Sequence, residues 1–313
     1  MHLLIMKKLI IISILSLFLF ESYSQDKKRF YDEVFEEIEI KHDVVYGKNV
    51  TQAGVVQELV MDIYMPKNDT MQKRPLMIMA HGGYFIFGDK DSFSKECKFL
   101  AQSGYVAVSM NYRLIDVEGD SVMTPKYAVI DAVNDMKAAV RFFTKDAATE
   151  NKFKINTDNI FVGGYSAGAI TSLHYAYANT ADDVLQMGGT ELLKYVKENG
   201  GLEGNSGNEG FPSKIKGVVN IAGSLHSAKL LNKGEPALYS VHGTADVTVP
   251  YNKGLTGETL VETEGSGLIH KQAAKVGIKN LLHTLEDLDH SGFYFCDECP
   301  NEMRDFIGSV AGY

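Results

Sequence analysis

The chain has 313 residues, 45% of them hydrophobic and 23% charged, with 29 Gly and 7 Pro; this balance describes a globular chain with a sizeable core and excludes a disordered or fibrous one. Its formal charge of −9 argues against nucleic acid or an anionic membrane surface as partner, because phosphate binding needs clustered Lys and Arg.

At the N-terminus, Lys7 and Lys8 precede an almost wholly apolar run from Leu9 to Phe20, and Ser22 and Ser24 put small residues at the −3 and −1 positions of a cleavage site before Gln25. A spanning helix needs roughly 20 apolar residues, whereas this run is shorter and is followed by Glu21. The pattern predicts a signal peptide over 1–24, a secreted or periplasmic mature protein, and no stable membrane insertion after cleavage. No cysteine lies at the junction, which argues against a lipid anchor. Cleavage removes two Lys and one Glu, leaving 29 basic and 39 acidic side chains and a charge of −10.

Residues 54–64 alternate and end near Pro66, which predicts an early antiparallel strand. Residues 75–80, 105–110, 160–163, 217–222 and 237–241 are apolar runs too short for helices, and 280–285 is the last strand; these predict buried, mostly parallel strands. Helices are predicted over 92–102, over 125–146, after Ser166, and over 301–309. The second opens at Pro125 and carries Val129, Val133, Met136, Val140 and Phe143 at three- to four-residue spacing. Strands alternating with helices predict an α/β class, with a mostly parallel central sheet and helices on both faces. The Gly-, Asn- and Ser-rich stretch 188–210 and the similar stretch 252–267 read as loose excursions of one domain over about 30–313.

Residues 160–168 run from an apolar strand into Gly164-Tyr165-Ser166-Ala167-Gly168 and on into a helix-compatible stretch. This is the context of a G-x-S-x-G elbow, whose glycines keep side chains out of the way of the neighbouring strand and helix. Ser166 is therefore the candidate nucleophile. At the end of the 75–80 strand stands His81-Gly82-Gly83-Tyr84-Phe85. A tetrahedral intermediate needs backbone N–H donors, and glycine lets backbone approach its oxygen. Gly82, Gly83 and Ala167 are the candidate donors; His81 reads as a brace for the loop.

The words HGGYF (81–85), VSMNYRL (108–114), GGYSAG (163–168), HGTADVTVPY (242–251) and DHSGF (289–293) together resemble an α/β-hydrolase of the serine carboxylesterase group with a His-Gly-Gly oxyanion loop. They span nearly the whole mature chain. Two departures stand out: Tyr84 takes the place of a third glycine, leaving open which N–H groups complete the hole, and Ser291 intervenes between His290 and Gly292. In this fold the acid and base follow the serine in that order, which points to Asp246 and His290, each in a loop after a predicted strand. Asp287 and Asp289 are too close to the base along the chain and read as solvated. His283 lies within a strand, His174 on the helix after the elbow, and the resemblance makes His242 structural.

The resemblance implies a secreted serine hydrolase that cleaves carboxylic esters through an acyl-enzyme, with short-chain or aryl esters first. Acetyl or feruloyl esters of polysaccharides, or polyesters, are the alternatives, so the partner is a small-molecule or polymer-linked ester. An exopeptidase is disfavoured by the lack of an appended propeller or acidic amine-binding motif, and a non-catalytic binding protein by the intact triad. Tyr84, Phe85 and Tyr165 are the candidate pocket residues. Asn111-Tyr112-Arg113 reads as a buttress of the oxyanion loop. No cofactor or metal is expected: Cys296-Asp297-Glu298-Cys299 has the form of a zinc half-site, but no second Cys or His pair stands at ligand spacing. An exported chain with three cysteines allows one bridge. The fold would put Cys97 and Cys299 on one face of the sheet, which permits Cys97 to pair with Cys299 or Cys296; a local Cys296–Cys299 bridge is the alternative.

Overall fold

The computed structural model describes residues 27–118, 122–257, 259 and 261–313, so the predicted leader lies outside the described residues. The strands are β1 (Ile38–Val50), β2 (Val56–Pro66), β3 (Arg74–Ala80), β4 (Val106–Met110), β5 (Ile155–Tyr165), β6 (Gly217–Ile221), β7 (Ser224–Leu225), β8 (Ala237–Gly243), β9 (Lys253–Leu255), β10 (Glu262–Gly265) and β11 (Asn280–Leu285). The helices are α1 (Ser94–Gln102), α2 (Met123–Ala148), α3 (Ala167–Tyr177), α4 (Ala181–Glu198), α5 (Ser266–Val276) and α6 (Cys299–Ala311).

Eight strands form one sheet in the order β1-β2-β4-β3-β5-β6-β8-β11. β1, β2 and β4 pair antiparallel, and every other pairing from β4 to β11 is parallel. The parallel strands are the continuous apolar runs: β3, β4, β6 and β8 are buried along their whole length, because helices cover both faces. One face is packed by α2, α3 and α4, with Val133, Met136, Phe143, Leu173 and Leu192 in one apolar layer. The other is packed by α1 and α6, with Leu100, Met303 and Ile307. Among the described residues no helix is long and apolar enough to cross a membrane.

Three local readings change. β1 escaped notice because it is an edge strand: its residues alternate charged and apolar around an exposed backbone, with irregularities between Lys41 and Val44 and between Val45 and Gly47. The start of 188–210 is helical rather than loose, since α4 absorbs Gly188 and Gly189 as a kink and continues to Glu198. The stretch 252–267 contributes β9 and β10, and β10 pairs with both β9 and β7 in a second, three-stranded sheet. The bridge is Cys296–Cys299, and Cys97 is a buried free thiol. Cys97 and Cys299 do share one layer of the core, but a sulfur three residues away is the partner.

Candidate active site

The parallel strands β3, β5 and β8, together with β11, deliver their C-terminal loops to one edge of the sheet, where ligand sites of open α/β sheets form. β5 runs straight into Ser166, which adopts φ 55°, ψ −117° before α3 starts at Ala167. A positive φ is costly for a residue with a Cβ. Surrounding structure holds it: the Ser166 N–H donates to Ile221 O at 2.9 Å and Ser166 O accepts from the Ile170 N–H at 2.9 Å. The flanking glycines are required by contact. A Cβ on Gly164 would stand 2.4 Å from Ala80 O, and one on Gly168 2.0 Å from the same oxygen. Because these are backbone atoms of the central strand, Gly168→Ala is expected to destabilise the fold by about 3 kcal/mol or more, read as a lower urea midpoint.

Asp246 and His290 arrive from loops after β8 and β11. Ser166 Oγ lies 2.9 Å from His290 Nε2, and His290 Nδ1–H donates to Asp246 Oδ2 at 2.7 Å. Asp246 is buried. Its Oδ1 accepts the N–H groups of Thr248 and Val249, both at 2.8 Å. Its Oδ2 also receives His242 Nε2 at 3.1 Å, whose other nitrogen meets Ser266 Oγ at 2.8 Å. Burial alone would raise the Asp246 carboxyl; the hydrogen bonds from His242 and His290, the charge of His290 and the Val249 N–H outweigh it and hold the group well below the usual carboxylate range. Structural by the resemblance, His242 thus shares Asp246 Oδ2 with His290. The signal for it was its place four residues before Asp246, at the end of a buried strand.

The competing residues are engaged elsewhere. Exposed Asp289 accepts from Ser291 N–H at 2.9 Å and Ser291 Oγ–H at 2.6 Å, Asp287 occupies a left-handed turn at φ 58°, and His283 Nδ1 bonds Glu302.

The loop after β3 lies against the serine: a Cβ on Gly82 would be 3.2 Å from Ser166 Cβ and 2.9 Å from Tyr165 Cδ1. Gly83 O accepts the N–H groups of Ile86 and Phe87, and Tyr84 and Phe85 both hold positive φ, so the chain curls tightly where a third glycine was absent. The loop is braced from β4's end. Tyr112 stacks on the His81 ring with centroids 4.4 Å apart and donates its hydroxyl to His81 O at 2.8 Å, and Ile115 N–H donates to Phe85 O at 2.7 Å. Arg113 is buried in a two-pronged pair with Asp135 of α2, Nε donating to Oδ2 at 3.0 Å and Nη2 to Oδ1 at 2.8 Å. Ala167 is the first residue of α3, where an N–H has no intrahelical acceptor and sits at the positive end of the helix dipole.

Beside Ser166 opens a cavity of about 80 Å³ walled by Tyr84, Phe85, Val129, Ala167, Ile170, Met187, Val249 and Val261, with Lys126, His174 and His226 at its polar margin. Tyr84 and Phe85 are therefore on the wall. Tyr165 is not: its ring stands 5.0 Å from that of His290 and its hydroxyl donates to His290 O at 3.1 Å, so it steadies the histidine loop. His174 bonds Ile170 O at 2.8 Å, and burial pushes it down to about 4, which keeps it neutral. The walls from Met187, Val249 and Val261 were missed because nothing local marks an apolar residue on a helix or loop as pocket rather than core.

The BD-FAE family model matches residues 61–230. Among curated relatives, Esterase-5A of Drosophila persimilis is 25% identical over 193 residues, 59% of this chain and 33% of that protein. Esterase-5B of the same species is 26% identical over 157 residues, 48% of this chain and 27% of that protein. The chain thus matches about a third of these relatives' length. Among solved structures, Thermogutta terrifontis esterase 2 with propionate bound superposes with a TM-score of 0.61 at 20% identity, covering 88% of this chain and 94% of that one. The same esterase phosphorylated by paraoxon gives 0.61 at 20%, covering 88% and 92%. These superpositions show a shared fold, the α/β-hydrolase fold. Carrying that fold, and matching the family model over more than half of its length, the chain belongs to the BD-FAE family.

Proposed function

We propose that the protein is an exported serine hydrolase that cleaves carboxylic esters through an acyl-enzyme. The observation that carries this reading is the run of contacts from Ser166 Oγ to His290 Nε2 at 2.9 Å and from His290 Nδ1 to Asp246 Oδ2 at 2.7 Å. Ser166 Oγ attacks the ester carbonyl as His290 takes its proton; His290 returns that proton to the departing alkoxide, and a water activated by His290 then releases the acid. Ionised Asp246 holds the Nδ1–H tautomer and stabilises the imidazolium. The N–H groups of Gly82, Gly83 and Ala167 are the donors for the oxyanion. The mostly apolar cavity of about 80 Å³ suits a short acyl chain or a single ring. The basic, apolar and small-residue pattern over 1–24 supports export.

A second reading, deacylation of a polymer, is supported by two rings left in water near the cleft: Phe87, beside Tyr84, is 60% and Tyr294 64% exposed. Tyr294 reaches Tyr165 edge-on at 5.4 Å. Rings so placed offer apolar contact to a chain lying across the site.

Since the Thermogutta esterase takes a phosphoryl group from paraoxon, the same reagent tests the nucleophile here. One diethylphosphoryl adduct is expected on the peptide containing Ser166, with parallel loss of p-nitrophenyl acetate turnover; labelling elsewhere, or inhibition without an adduct, sinks the assignment. Turnover of p-nitrophenyl esters should fall steeply from butyrate to palmitate, and comparison with acetylated xylan, a feruloyl ester and an aminoacyl anilide separates polymer and peptide substrates. His242→Ala, which removes one donor from Asp246, is expected to cut kcat about 10- to 100-fold with KM little changed.

A further inference from the structure

Away from the triad, β11, the turn after His290 and the first turn of α6 converge on one set of donor atoms. His283 Nδ1–H donates to Glu302 Oε2 at 2.9 Å, and the same oxygen accepts Tyr239 Oη–H at 3.0 Å. That carboxylate fixes the proton on Nδ1 and leaves the Nε2 lone pair facing Cys296 Sγ, 3.8 Å away, with Glu298 Oε1 also 3.8 Å from Nε2. One His283 ring nitrogen and the two sulfurs of Cys296 and Cys299 all lie within 4.8 Å of one another. In the bridged state neither sulfur carries a proton, so the imidazole lone pair gains no hydrogen bond from them.

A carboxylate-held histidine, two sulfurs three residues apart at a helix start and a nearby carboxylate are the donors and outer shell of a tetrahedral zinc-class site, in which ligand atoms stand about 3.3–3.8 Å apart. We propose that Cys296, Cys299, His283 and Glu298 bind one zinc-class divalent ion whenever the Cys296–Cys299 bridge is open. A dithiol reductant opens it, giving two electrons and two protons to the bridge and leaving as its own disulfide; the ion then displaces both thiol protons to solvent. The bridge and the ion are alternative cross-links of the same segment, which joins His290 to α6. In the sequence the half-site has no second Cys or His pair at ligand spacing; the turn after β11 brings the lone His283, 13 residues before Cys296, up to it.

The test uses the full chain, reduced by a dithiol, desalted without oxygen and titrated with Co²⁺. The expected result is one equivalent bound, with thiolate-to-cobalt charge-transfer absorption and tetrahedral ligand-field bands that Zn²⁺ displaces, neither of them in the oxidised protein. Cys97→Ser should behave as the parent, Glu302→Gln should bind about 10- to 100-fold more weakly, and His283→Ala more weakly still. Reduced, folded protein without the charge-transfer band overturns the proposal, as does undiminished affinity in His283→Ala. If reduction unfolds the chain, one equivalent of Zn²⁺ must restore its far-ultraviolet dichroism, and failure to do so also overturns it. None of these readouts depends on ester turnover.

Discussion

Ser166→Ala is expected to lower ester kcat about a million-fold, close to 8 kcal/mol of transition-state stabilisation, while KM and the melting temperature change little. The loss is large because serine, base and acid act as a unit: without Oγ there is no acyl-enzyme, and His290 has only water to activate. Stability should hold, since Ser166 keeps its place through backbone bonds to Ile221 and Ile170 and alanine leaves those untouched. If the left-handed φ of 55° dominates, Ser166→Gly would be slightly more stable than Ser166→Ala. Steady-state kinetics beside a urea titration checks both. A variant retaining a tenth of the parent turnover would remove Ser166 from the mechanism.

Asp246→Asn is expected to cost about 10⁴-fold in kcat, and the geometry says why. Oδ1 faces two backbone donors, Thr248 and Val249 N–H, so an amide must keep its oxygen there. Its NH₂ then takes the Oδ2 position and points at His290 Nδ1, forcing the proton onto Nε2, where it faces Ser166 and cannot accept. The same substitution reports on stability. Because the folded-state Asp246 carboxyl lies below its ordinary value, its contribution is fully present above about pH 4, the unfolded value, and is lost as pH falls through the folded one. The stability of the parent relative to Asp246→Asn should therefore decline as pH drops from about 4, and a gap that widens towards acid would contradict the assigned cause.

The elbow was legible because its requirements are local: a strand, a turn that tolerates no Cβ at Gly164 and Gly168, and a helix, all within a dozen residues. Asp246 and His290 were legible by order along the chain. Their pairing was not, since the 44 residues between them say nothing of distance, and the choice of Asp246 over Asp289 rested on Asp289 lying too close to the base along the chain. His242 was legible as a residue and not as a role. It becomes a partner of the acid only because the turn after β8 folds the carboxylate back four positions onto its imidazole.

By itself, then, the sequence determined the alternation of buried strands and helices, the candidate nucleophile and the glycines around it, because apolar periodicity and backbone sterics act over a few neighbours. Tertiary structure alone decided the rest. It chose Cys296 rather than Cys97 as the partner of Cys299 and set His283 beside that pair. It turned Tyr165 from the pocket to the histidine loop, and it assembled the cavity from Val129, Met187, Val249 and Val261 on separate elements. Each of these depends on which surfaces the sheet order brings face to face, and no short stretch of chain encodes that.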